Sequence, residues 1–181
     1  MINLKSDIVI KVLGYYFLNP KSRHYVRELA RLLLLDPGNL SKKMSELKRE
    51  GLFLMEGEGK NRYFILNEKF PLLKEYQRIY EAKFGVAESL RQALKNVKGL
   101  RAVYLFGSYA KGNFEEGSDI DLLVVGSHEH ESISRPILKL QKRWRREINF
   151  IDMSAKEFDQ KIKEKDFFLT EIFSGKTIKI I

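Results

Sequence analysis

The 181-residue sequence contains no cysteine. Its absence removes disulfide frameworks, thiolate zinc fingers and thiol nucleophiles together, and makes a reducing cytoplasm the expected location. Long apolar runs are missing as well. Runs such as 32–35 and 122–125 fall far short of the roughly 18 residues that cross a bilayer, so no membrane partner is expected. The opening Met1-Ile2-Asn3-Leu4-Lys5 lacks the charged and apolar regions of a secretory signal. Histidine is scarce: two of the three copies form His128-Glu129-His130, which reads as a solvated loop with no third ligand, so no zinc is expected. With 44% hydrophobic and 31% charged residues, disorder is excluded and one ordinary core or two small ones can form.

Acidic charge is short in one half only. Residues 1–100 carry 19 basic and 11 acidic side chains, whereas 101–181 carry 14 and 13, so nearly all of the net +9 lies in the N-terminal half. A polyanion is the natural partner of such a half. Apolar spacing predicts a first helix over 7–17 and a second from Tyr25, with Val26, Leu29, Ala30 and Leu33 inward and Arg27, Glu28 and Arg31 outward. Asp36-Pro37-Gly38 then opens a third helix, Asp36 as cap and Pro37 in the first turn. That helix buries Leu40, Met44 and Leu47 and ends at Gly51. Its outer face presents Gly38, Ser41, Lys42, Ser45 and Arg49, small and basic as a major groove requires. Runs 52–56 and 61–66 flank Gly57-Glu58-Gly59-Lys60 as a hairpin.

Three helices and a hairpin make a winged helix, with Ser41, Lys42 and Ser45 toward base edges and Lys60 and Arg62 toward phosphates of double-stranded DNA. Residues 25–66, through Val26-Arg27-Glu28-Leu29-Ala30 and Leu47-Lys48-Arg49-Glu50-Gly51-Leu52, resemble the winged helix-turn-helix domains of transcription regulators. Over 71–97, Leu73, Tyr76, Tyr80, Phe84, Ala87, Leu90 and Leu94 recur at helical spacing, giving a connector bent at Gly85. It either packs on its own domains or forms a homodimer interface.

The C-terminal half carries the chemistry. Residues 102–106 and 120–126 read as buried strands, and strand alternation puts Asp119 and Asp121 on one face at the start of the second. Two such carboxylates repel unless a cation lies between them; Mg2+ (or Mn2+) carrying the phosphates of an NTP resolves the repulsion. Gly107 and Ser108 let phosphate oxygens approach the backbone. Gly-Ser, ten intervening residues, then Asp-x-Asp resembles the signature of DNA polymerase beta-like nucleotidyltransferases, and most of all their minimal branch.

That resemblance covers 98–181. It implies a short mixed sheet with helices on one side, including a helix over 133–146, a strand over 148–153 and a helix opened by the box Ser154-x-x-Glu157. It further implies transfer of a nucleoside monophosphate, metal binding by Asp119 and Asp121 as the catalytic pair, a third carboxylate on the later strand, and a small helical protein as possible partner. Here the pattern breaks. The matching position is Asn149, with Glu147 on the same strand face and Asp152 on the opposite one. Lys142-Arg143-Trp144-Arg145-Arg146 is either a grip on a nucleic-acid acceptor, with Trp144 stacking, or a helix packed on the sheet.

The expected architecture is therefore α+β: a winged helix over 1–70, a helical connector over 71–97 and a small nucleotidyltransferase fold over 98–181. The primary expectation is a DNA-binding regulator whose second domain binds NTP and Mg2+ with weak or absent catalysis. The alternative is a working nucleotidyltransferase that modifies a protein or nucleic acid.

Overall fold

The computed structural model describes residues 2–59, 61–112 and 117–181, and the chain divides into two compact units, Met1–Gly85 and Val86–Ile181. In the first unit, α1 (Asp7–Leu18) is followed by β1 (Arg23–Tyr25), α2 (Val26–Leu33), α3 (Pro37–Arg49), β2 (Phe53–Glu58), β3 (Asn61–Leu66) and α4 (Leu73–Phe84). The Asp36 carboxylate accepts from the Asn39 N–H at 2.8 Å and starts α3, and Gly51 at φ +86° ends it in the left-handed region where glycine carries no steric cost. Leu40, Met44 and Leu47 are buried, as their spacing requires. The core gathers Val12, Leu13, Tyr16, Leu29, Phe53 and Phe64 with them. The Tyr16 hydroxyl donates to the Phe64 carbonyl at 2.9 Å, and burial pushes this phenol well above its usual range.

Two local expectations need correction. Arg23–Tyr25, taken as loop and helix start, forms a third strand against β3, so the sheet order is β1-β3-β2. Three residues are too few to show a period of two, and their partners lie about forty positions away. The second strand runs on to Glu58, which pairs with Asn61, so Gly57 is inside the ladder and Gly59, at φ +57°, lies beyond its end. The residues expected to join two domains are two helices divided at Gly85. In α4, Tyr80 is buried and its hydroxyl donates to the Ile10 carbonyl at 3.2 Å; a Cβ on Gly14 would lie 2.4 Å from that oxygen. Glycine at 14 is thus what lets α1 and α4 approach.

The second unit runs α5 (Val86–Leu94), β4 (Leu100–Phe106), α6 (Gly107–Lys111), β5 (Ile120–Gly126), α7 (His130–Trp144), β6 (Ile148–Met153), α8 (Ala155–Lys163), α9 (Phe167–Ser174) and β7 (Ile178–Lys179). The sheet order is β6-β5-β4-β7, with β5 and β6 parallel and the other pairs antiparallel. A parallel pair needs a crossover, and α7 supplies it. On one face Ala102, Leu123, Val125 and Met153 pack with Phe158 of α8 and Leu169, Ile172 and Phe173 of α9. The alternate residues Val103, Leu105, Leu122 and Val124 are fully buried on the other face, beside α5 and α7. Helices therefore cover both faces, not one. Two elements were not expected, α9 and β7: α9 is a short helix of eight residues, five of them apolar, and β7 is two residues long.

Candidate active site

The two carboxylates meet at the start of β5. Asp121 pairs in register with Phe106 on β4 and with Asn149 on β6, while Asp119 lies in the extended segment just before the strand. Gly107 follows Phe106 at φ +72°, and a Cβ there would sit 2.3 Å from Asp121 Oδ2. Only glycine satisfies both the dihedral and the approach. Ser108 is the next residue, half-buried in the first turn of α6. The expected set Gly107, Ser108, Asp119 and Asp121 thus converges on one edge of the sheet.

Asn149 joins it. Its Nδ2 donates to Asp119 Oδ2 at 3.2 Å. Burial raises the Asp121 carboxyl above its ordinary range, a hydrogen bond from Asn149 opposes that shift, and the charge of Asp119 adds to it. Two hydrogen bonds flank the site: the Ile120 N–H donates to the Glu147 carbonyl at 3.0 Å, and the Arg146 side chain donates through Nη1 to the Ser118 carbonyl at 3.4 Å.

Among the described residues no group of three or more His, Cys, Asp and Glu side chains can hold a metal ion. The site therefore offers two carboxylates and leaves the other positions open. That suits Mg2+, which keeps several waters and is commonly held by one or two carboxylates and substrate phosphates. Neither acidic neighbour of Asn149 replaces it. Among the described residues Glu147 joins no group of three metal-ligating side chains, and Asp152 registers with Val124 on the opposite face, toward the other end of the strands.

At that other end one expectation fails. His128 is not solvated: its side chain is 1% exposed and Nε2 lies 3.0 Å from Asp152 Oδ1, with His130 Nδ1 3.8 Å from Asp152 Oδ2 and its ring stacked on Phe150. Sequence spacing shows two histidines in a loop, but only strand register brings Asp152 beneath them. Trp144 is likewise buried at 2% exposure, which settles its role as packing and removes it as a stacking platform.

In the first unit, Ser41, Lys42 and Ser45 are exposed on α3. Ser41, Ser45 and Arg62 line one open groove of about 1230 Å³ together with Tyr25, Arg27 and Arg31. The Ser45 hydroxyl donates to the Ser41 carbonyl at 2.9 Å. Lys42 does not line the groove, and Lys60 lies outside the described residues. Arg27 and Arg31 were placed outward by the helical pattern but not linked to the hairpin, because that pattern carries no information on which strand lies opposite.

The family model "Polymerase beta, Nucleotidyltransferase" matches residues 88–178, half of the chain. The chain belongs to this nucleotidyltransferase family. A protein of Methanocaldococcus jannaschii assigned as a protein adenylyltransferase is 38% identical over 63 residues, 35% of this chain and 63% of that one. A poly(A) polymerase of Schizosaccharomyces pombe is 32% identical over 82 residues, 45% of this chain and 14% of that one. The chain thus spans less than two thirds of either curated relative. A solved toxin–antitoxin complex with AMP-PNP is 19% identical, with a TM-score of 0.39, over 53% of this chain and 73% of that one. Among the described residues no helix is long and apolar enough to cross a membrane.

Proposed function

We propose that this nucleotidyltransferase is active and moves a nucleoside monophosphate from an NTP to a hydroxyl of a protein acceptor. The observation that carries the reading is the approach of Gly107 to Asp121 beside Asp119 and Asn149, inside the segment that matches the family. In this reading Asp119 and Asp121 hold the ion, and Gly107 and Ser108 leave room for and donate to phosphate oxygens. Bound Mg2+ would supply neutralisation of the triphosphate charge. The acceptor oxygen attacks the α-phosphorus, the bond to the β-phosphate breaks, and pyrophosphate leaves. Asn149 holds Asp119 in place but cannot take the acceptor's proton, which leaves with water. A protein acceptor is favoured by the archaeal relative's assignment as a protein adenylyltransferase.

The test is incubation of the chain with α-labelled ATP, Mg2+ and cell lysate, followed by protease or RNase. Label that protease releases and RNase spares supports the reading; label with the opposite sensitivity places the acceptor in RNA, and no label in any fraction overturns transfer. General-base catalysis contributes about 10²- to 10⁴-fold. Asn149→Asp should therefore raise the transfer rate within that range while leaving nucleotide affinity nearly unchanged.

For the first unit we propose a winged helix that binds duplex DNA, supported by the groove that Ser41, Ser45 and Arg62 share with Arg27 and Arg31. Beside the transferase this gives localisation or control of expression. Half-exposed Leu72 and Ile79 on and before α4 are the face through which two copies would pair on a two-fold operator. Affinity for DNA should fall steeply with salt, and Lys42→Ala with Arg62→Ala should weaken it. Unchanged affinity at moderate salt would overturn this docking.

A further inference from the structure

We infer that this site holds a single divalent ion per bound nucleotide, because Asn149 stands where a further carboxylate would be needed to hold a second. The inference rests on the nucleotidyltransferase reading and concerns how many ions that site takes.

A divalent ion between two carboxylates and a triphosphate needs nothing more from the protein, because water fills its remaining positions. A second ion, placed to ionise an attacking hydroxyl, needs further anionic donors, as two-metal sites a few ångströms across supply. The position that would supply one is known from the register: Asn149 lies directly across from Asp121 on the parallel strand β6. Among the described residues no third His, Cys, Asp or Glu joins the pair. Glu147 is exposed and Asp152 faces the far side, beside His128.

Asn149 also works against a second ion directly. Its Nδ2 donates to Asp119 Oδ2 at 3.2 Å. The amide therefore turns its donor, not its oxygen, toward the carboxylate, and it occupies a lone pair that a second ion would use. Turning the amide over would set its oxygen against an ionised carboxylate oxygen, which is repulsive until an ion is already there. The residue is thus matched to a two-carboxylate, one-ion site: it offsets part of the repulsion between Asp119 and Asp121 without adding charge.

The experiment counts Mn2+, through the electron paramagnetic resonance of the free ion, on the full chain with α,β-methylene-ATP, which cannot transfer its nucleotide. The parent is expected to take one Mn2+ per chain–nucleotide complex, any second binding at least tenfold more weakly. Asn149→Asp is expected to take two. Asn149→Ala, which removes the amide without adding charge, is expected to stay at one, and nucleotide binding by each variant reports that it is folded. Two Mn2+ of similar affinity in the parent, or one in both the parent and Asn149→Asp, overturn the inference and leave the proposed function standing. Absence of Mn2+-dependent nucleotide binding in the parent overturns the proposed function and the inference with it.

Discussion

The parallel pair β5 and β6 carries polar residues at both ends, and the two ends are built to opposite purposes. Near the start, Asp119 and Asp121 sit together with only the amide of Asn149 between the strands, and burial leaves Asp121 uneasy as an anion. Near the finish, Asp152 lies 3.0 Å from an imidazole that is itself buried. One end gathers two like charges; the other sets a carboxylate beside an imidazole. The difference shows that carboxylates on the same strands need not share a role, and that alternation and register decide which is which. Asp152 belongs to the structure and Asn149 to the site, although only three residues separate them.

The sharpest way to break this contrast is Gly107→Ala. It places a Cβ 2.3 Å from Asp121 Oδ2 at a φ of +72°, so nucleotide binding should fall at least a hundredfold, and melting should report a loss of about 1–3 kcal/mol from the strained backbone. Wild-type nucleotide affinity in that variant would mean that the turn is not part of the site. Asp119→Asn with Asp121→Asn should abolish Mg2+-dependent nucleotide binding in a titration, yet leave the fold at least as stable, because it removes like charges.

At the opposite end the pattern of effects should invert. Asp152→Asn removes the carboxylate 3.0 Å from the buried His128 ring, a contact without hydrogen-bond geometry, so denaturant unfolding should show a cost of at most about 1 kcal/mol, and nucleotide affinity should not move. A loss of affinity there would show that the ends are coupled.

The smallest effect is a pH dependence. The folded-state pKa of Asp121 is raised, chiefly by burial, so its ionisation opposes folding at neutral pH in the absence of metal, and that opposition fades as pH falls through the raised value. Asp121→Asn should therefore stabilise the metal-free chain at pH 7 and lose the advantage in acid. An advantage that grew in acid would contradict the assignment.

Much of this was legible in the chain itself, wherever a local rule decides the outcome. Asp36-Pro37 marks the start of α3 and Gly51 its end because caps act within a turn. The spacing from Gly107 to Asp121 marked the candidate site, and the family resemblance pointed to Asn149 as the matching position on the later strand, which the register sets across from Asp121. What escaped depends on contacts between distant residues. The strands β1 and β7 are too short to show a period and form only because β3 and β4 offer an edge. His128 reads as solvated until β6 brings Asp152 to it, and the groove of Arg27, Arg31 and Arg62 exists only once the hairpin folds over α2.

The order β6-β5-β4-β7 has a last consequence, for solution behaviour rather than chemistry. β7 covers one side of β4, but among the described residues β6 pairs with β5 alone, and an open strand is a template for further pairing between molecules. Along β6, Ile151 is 40% exposed, and its polar neighbours Asn149 and Asp152 are the residues that discourage such growth. The amide and carboxylate discussed for catalysis and for stability therefore also act as gatekeepers against fibrous association. A variant that removes either one should be checked by light scattering before a loss of activity is ascribed to the reaction.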